Sequence, residues 1–291
     1  MRRSQAPRSS GTLRSGLVGV GCLHLLLGCA SAGAFAQGAE TPAELVTDRP
    51  DQTESAVTVP DGSLQVEVGV QLERDQASGR SSVRFEAPGT LLRWGLSERF
   101  ELRLAWPGAI WSEITSNAAG ERRRDRSRGV TDPEVGAKLG WLARGNGDRL
   151  DLALLGHLTL PAGDDELGSP RADPSLRICA SLPVNDRVDV GLNLGWETAS
   201  TARPSGGQTT ATRWIYTVAA GFDLSPRWGA FVELFGDLPA SDPTPAAHSL
   251  DAGLTLLLSP RLQLDLVAGR GWSRAAPDRF VGLGISVRIP Q

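Results

Sequence analysis

Ser63-Leu64-Gln65-Val66-Glu67-Val68-Gly69-Val70-Gln71-Leu72-Glu73 alternates without a fault. Leu64, Val66, Val68, Val70 and Leu72 fall on one face, and Gln65, Glu67, Gly69, Gln71 and Glu73 on the other. Period two marks a strand with one apolar face, where a helix would repeat every 3.6 residues. Eleven further runs pass the same test. Leu92, Trp94 and Leu96 oppose Arg93; Leu102, Leu104 and Trp106 oppose Glu101 and Arg103. Val135, Leu139 and Trp141 oppose Glu134 and Lys138, and Leu152, Leu154 and Leu158 oppose Asp151 and His157. Later runs set Arg177, Asp189, Asp223, Glu233, Asp251, Asp265 and Arg288 against leucine-rich faces in the same way.

The connections alternate between short and long. Leu224-Ser225-Pro226-Arg227-Trp228 and Leu258-Ser259-Pro260-Arg261-Leu262 are copies of one turn, and Leu96-Ser97-Glu98-Arg99-Phe100 is a third version. Proline presets φ and serine bonds nearby backbone, so these turns are tight. Polar stretches 74–86, 112–129, 161–173 and 198–211 read as long loops at the opposite ends. Short turns on one rim, long loops on the other and an even strand count describe an outer-membrane barrel. The expected fold is all-β: an antiparallel transmembrane up-and-down β-barrel of about 12 strands over residues 63–291, with both termini periplasmic.

A soluble β-sandwich would also alternate. Register decides between inward and outward polar faces. A slip of one residue would turn Glu67, Glu101, Glu134, Asp151, Asp189, Asp223, Asp251 and Asp265 into lipid. Each costs less than the ~2–4 kcal/mol of an arginine at the midplane, but together they exceed a domain's net stability. Glu67, Arg93, Glu101, Arg103, Glu134, Lys138, Asp151, His157, Arg177, Asp189, Asp223, Glu233, Asp251, Asp265 and Arg288 are therefore expected to line the lumen. Acids outnumber bases in that set, which favours cations or neutral solutes over anions. The eight tryptophans lie near strand ends, where a barrel carries its aromatic girdle.

Residues 1–36 read as a signal peptide: Arg2, Arg3, Arg8 and Arg14, an apolar stretch from Leu17 to Leu27, and Ala34-Phe35-Ala36 as the cleavage site. Leu26-Leu27-Gly28-Cys29 offers lipidation at Cys29 as the rival reading. Residues 37–62 read as a periplasmic N-terminal segment. Removing the four leader arginines takes the formal net charge from -3 to about -7, which excludes a generally basic nucleic-acid binder. The single Lys138 leaves arginine as the chain's working cation.

Thr47-Asp48-Arg49-Pro50-Asp51-Gln52-Thr53-Glu54, then Val59-Pro60-Asp61-Gly62, and later Gly129-Val130-Thr131-Asp132-Pro133-Glu134-Val135-Gly136 resemble the motifs of an outer-membrane, transporter-like family labelled for the meta pathway of phenol degradation (MetA-like). The resemblance implies a barrel for passive passage of small solutes, aromatic or other hydrophobic compounds among them. The alternative is a non-conducting structural or surface-interaction barrel; an outer-membrane hydrolase lacks a nucleophile-elbow sequence. Asp48, Arg49, Asp51 and Glu54 could anchor the segment in the lumen through Arg93 or Arg103, or stay solvated below it. Arg122, Arg123, Arg124, Arg126 and Arg128, on the expected outer side, suit lipopolysaccharide phosphates. Expected partners are thus outer-membrane lipid and lipopolysaccharide, the barrel-assembly machinery and a small-molecule solute. The pattern calls for no cofactor, no metal and no catalytic residue.

Overall fold

The structure, a computed structural model, describes residues 45–77, 80–118, 121–142, 150–202, 207–241 and 244–290. The expected signal peptide lies outside the described residues. The strands are β1 (Leu64–Ala77), β2 (Arg80–Ser97), β3 (Phe100–Trp106), β4 (Ala109–Ala118), β5 (Glu121–Val130), β6 (Glu134–Leu142) and β7 (Asp151–Thr159). They continue as β8 (Asp173–Asn185), β9 (Val188–Ala202), β10 (Gln208–Asp223), β11 (Trp228–Pro239), β12 (Ala247–Ser259), β13 (Leu262–Gly271) and β14 (Arg279–Ile289).

Every pairing is antiparallel, and β1 bonds both β2 and β14, from Leu64↔Trp94 and Leu64↔Ile289 upward. The ring closes through β1, β2, β3 and then β6 to β14, giving the twelve strands expected. β4 and β5 are an additional hairpin. β2 carries both layers: Thr90–Ser97 pairs with β3, while Arg80–Ala87 pairs with β4. Pro107 and Gly108 (φ 102°) separate β3 from β4, and Thr131-Asp132-Pro133 separates β5 from β6. Proline cannot donate to the ladder, so each break falls where the sheet changes direction.

This hairpin corrects the reading of 112–129 as a loop, and with it the position of Arg122, Arg123, Arg124, Arg126 and Arg128, which lie on β5. Stretches 74–86 and 198–211 are likewise mostly strand, from β1 into β2 and from β9 into β10. Their period is invisible because a strand beyond the hydrocarbon is wet on both faces, so nothing selects alternation. The 161–173 stretch is a true loop up to Ala172.

Burial is inverted relative to a water-soluble protein. Arg93, Lys138, Gln65, Glu67, Glu101 and Glu233 are among the largest fully buried side chains, whereas Leu194 is 60% exposed and Trp141 75%. Only a hydrocarbon surround makes that arrangement stable, because it hides the leucines while the lumen pairs the charges. Trp94, Trp111, Trp141, Trp214, Trp228 and Trp272 all point outward, in keeping with a girdle.

The recurring turn is built as its residues dictate. In all three copies the arginine N–H donates to the serine hydroxyl two residues before it: Arg99 to Ser97 at 3.4 Å, Arg227 to Ser225 at 3.4 Å and Arg261 to Ser259 at 3.3 Å. All three sit on one rim.

Candidate solute pathway

Residues 45–62 enter the barrel from the short-turn rim, double back at mid-lumen and leave by the same rim. The segment contributes no strand to the wall. Its exit is stitched to β2, Gly62 N–H donating to Gly95 O at 2.9 Å and Gly95 N–H to Ser63 O at 3.0 Å. A side chain at position 95 would collide with the carbonyls of Val59 and Pro60, so the glycine makes room for the returning chain.

An irregular backbone at membrane depth needs partners for its polar groups. Wall side chains supply them. Gln52 N–H donates to Glu233 at 2.8 Å, Glu54 N–H to Asn193 at 2.7 Å, Ala56 N–H to Ser181 at 3.1 Å and Val59 N–H to Glu101 at 2.8 Å. Thr53 Oγ1 donates to Glu233 at 2.5 Å, Lys138 Nζ to Ser55 O at 2.7 Å and Gln65 Nε2 to Val46 O at 2.8 Å. Arg93 holds both limbs at once, donating to Val46 O at 3.2 Å and to Val57 O at 3.0 Å. Ser55 N–H closes the finger on Asp48 Oδ1 at 2.8 Å.

At its centre the Asp48 side chain is wholly buried among three cations: Arg103 at 2.6 Å, Lys138 at 2.9 Å and Arg93 at 3.2 Å. Arg93 also meets Glu101 at 2.9 Å and Glu67 at 3.2 Å, and Arg103 meets Glu54 at 2.7 Å. Burial alone would raise Asp48, but Arg93, Lys138 and Arg103 outweigh it and hold the carboxyl well below its ordinary range. Burial pushes Glu54 the other way, up to about 7, with the Asp48 charge adding to it against Arg103. Asp51, desolvated near Glu233, is raised as well.

Wall cations and the wall acids they leave unpaired gather on different strands. Arg93, Arg103 and Lys138 lie on β2, β3 and β6, whereas Glu233, Asp251 and Asp265 lie on β11, β12 and β13. The finger complements both sides: Asp48 and Glu54 face the basic wall, while Arg49 lies 3.5 Å from Asp265. A solvated leader is thus excluded for residues 45–62; the ion-pair anchoring to Arg93 and Arg103 is present, with Lys138 as a third partner that the sequence did not single out.

The finger lies between two cavities. One of about 730 Å³ opens at the short-turn rim and is lined by Val46, Ala56, Thr58, Asp151, Asp189 and Asp223 among others. The other, about 400 Å³, lies towards the long hairpins and is lined by Gln52, Arg177, Glu197, Tyr216, Phe235 and Phe280 among others. Phe235 and Phe280 meet edge to face at 6.0 Å, beside buried Phe231 and Val267.

Of the residues expected in the lumen, Glu67, Arg93, Glu101, Arg103, Lys138, Asp151, Glu233, Asp251, Asp265 and Arg288 are buried. Glu134, His157 and Arg177 are half-buried: His157 Nδ1 lies 4.0 Å from Glu134, and Arg177 lies 3.7 Å from Glu197. Asp189 and Asp223 line the cavity mouth and are exposed there, beside the turns that end their strands. His248 lies on β12 and bonds Tyr216 at 2.8 Å. Asp132 was legible as a motif residue but not by role. Its carboxylate accepts Ala162 N–H at 2.9 Å, Gly163 N–H at 2.6 Å and Ser169 N–H at 2.5 Å, so it pins the 161–173 loop across the strand break. Among the described residues no three His, Cys, Asp or Glu are grouped as a metal would require.

The sequence profile described as "Putative MetA-pathway of phenol degradation" matches residues 47–289. The chain belongs to this family. Its motif Thr47 to Glu54 is the tip and first limb of the finger. No curated protein matches the chain. Among solved structures, a COG4313 outer membrane channel from Pseudomonas putida F1 shares 15% identity over 80% of this chain and 98% of its own, with a TM-score of 0.58. The NanC porin shares 8% over 78% and 100%, with a TM-score of 0.48. The CymD monoaromatic hydrocarbon channel shares 10% over 80% and 89%, with a TM-score of 0.40. The first likeness establishes the fold as that of an outer-membrane barrel. These neighbours are channels and porins, not enzymes.

Proposed function

We propose that this chain is a passive outer-membrane channel for small solutes, closed at rest by its own residues 45–62. The observation that carries the reading is the finger itself, lying between two cavities and held by side chains. A merely structural barrel could fill its lumen from the wall. Tyr216, Phe235 and Phe280 in the hairpin-side cavity favour aromatic or other hydrophobic solutes. Leu64 and Ile289 pair at the short-turn rim, which supports periplasmic termini, since short turns face the periplasm in such barrels. In planar bilayers the purified chain is expected to give discrete current steps from brief openings. Silence at every voltage, in the intact chain and in one lacking residues 47–55, would leave the structural reading.

The lipopolysaccharide contact becomes more specific on a strand. Arg122, Arg124, Arg126 and Arg128 share one face of β5 with Trp111, which sits opposite Arg128 and 5.7 Å from Phe85. Trp111 is exposed, so this face points away from the barrel axis. Arg123 faces the other way and pairs with Asp125 at 3.0 Å. Glu113 engages Arg126 at 2.8 Å, which leaves Arg122 and Arg128 as the leading phosphate ligands. Replacing Arg122, Arg124 and Arg128 by serine should lower cellular resistance to chelators and detergents. Unaltered resistance would refute the contact.

A further inference from the structure

The three cations around Asp48 have a geometry suited to a carboxylate, and that carboxylate is tethered to the chain. Arg93 and Arg103 reach it from adjacent strands and Lys138 from the next, at 3.2, 2.6 and 2.9 Å. The wall compensates them only in part. Glu67 and Glu101 are the wall acids that pair with this group. With Asp48 in place the patch is balanced, and an ionised Glu54 takes it to one net negative charge; with the finger withdrawn it carries one net positive charge. Buried cations left without a counter-ion are costly, so withdrawal creates demand for an anion at that spot. Lumen acids elsewhere outnumber bases, but the buried cluster Glu233, Asp251 and Asp265 lies on β11 to β13, away from this patch on β2, β3 and β6.

We propose that Arg93, Arg103 and Lys138 form a binding subsite for the carboxylate of a small organic acid, and that Asp48 occupies it as an internal surrogate ligand. A solute carboxylate and Asp48 then compete for one position. Binding the solute favours the withdrawn finger, and the docked finger weakens apparent affinity in proportion to the fraction of chains it occupies. The inference rests on the channel reading for its purpose, but binding can be measured without conduction.

The test uses the full chain in detergent, with radiolabelled benzoate as the probe and benzyl alcohol as its uncharged counterpart, in equilibrium dialysis. Asp48→Asn should bind benzoate at least roughly tenfold tighter than the parent chain, because the competitor's occupancy is removed. Benzyl alcohol binding should not change, and adding Lys138→Met to Asp48→Asn should reverse the gain. Deleting residues 47–55 should give the same gain without placing an amide in the buried site. Heat-dependent gel mobility establishes that each variant is folded. In the unmodified chain, benzoate but not benzyl alcohol should expose Glu54 to a glutamate-specific protease. Equal benzoate affinity in parent and deletion variant, or a parallel gain for benzyl alcohol, overturns the subsite. A chain that binds benzoate in this pattern yet never conducts overturns the channel and leaves the subsite standing.

Discussion

Deleting residues 47–55 is expected to raise single-channel conductance in planar bilayers severalfold and to lengthen the open periods. The finger's tip sits between cavities of about 730 and 400 Å³, and it fills the section of lumen that separates them. Its removal takes away Asp48, Thr53 and Glu54 and the backbone groups that Glu233, Asn193 and Lys138 now bond. Water can replace those partners, because the lumen then opens at both ends. The wall itself persists, since its twelve strands are held by ladder hydrogen bonds that the segment does not join. Heat-dependent gel mobility should therefore match that of the parent chain. Unchanged conductance would show that the solute path avoids the finger.

The second large effect is a dependence of closure on pH. Asp48 is held below the ordinary carboxylate range when docked, by Arg93, Lys138 and Arg103 acting against burial. A group with a depressed pKa stabilises docking above its undocked value, and that stability is lost as pH falls through the docked value. Glu54 has the opposite sign. Burial, then Asp48, lifts it from 4.5 to about 7 when docked, with Arg103 and Lys138 pulling it down. Docking is then weakened progressively between pH 4.5 and about 7, and above that the full cost of roughly 3 kcal/mol is in place. Asp51, raised by desolvation and then by Glu233, adds to the same trend. Closure should be tightest near pH 4–5 and loosen on either side, as followed by open probability in bilayers. Glu54→Gln should flatten the rise towards neutrality and leave the acid limb in place. A pH-independent open probability would contradict this assignment.

The ring of strands was legible because lipid and lumen impose opposite chemistry on alternate residues, as at Leu64 to Glu73. That signal stops at the edge of the hydrocarbon. Glu121 to Arg128 is a strand whose two faces both meet polar surroundings, so it reads as a charged loop. Residues 45–62 have no period at all, and their place had to come from charge. Asp48 could be matched with Arg93 or Arg103 because all are strongly ionised and lie near one another in the barrel. Lys138 could not be singled out, since its position across β3 follows from the pairing Glu101↔Lys138. Asn193, Ser181 and Gln65 were hidden for another reason: a polar residue on the lumen face looks the same whether it bonds water or a plug. Asp132 shows the converse, a motif residue visible in sequence whose partners come from a loop thirty residues on.

Arg93 grips the carbonyls of Val46 and Val57 with one guanidinium, itself fixed by Glu67 and Glu101. Neither limb can leave without disturbing the other's tie. In the channel proposed above, withdrawal must therefore release both limbs together, which makes opening a switch with two settings instead of a throttle.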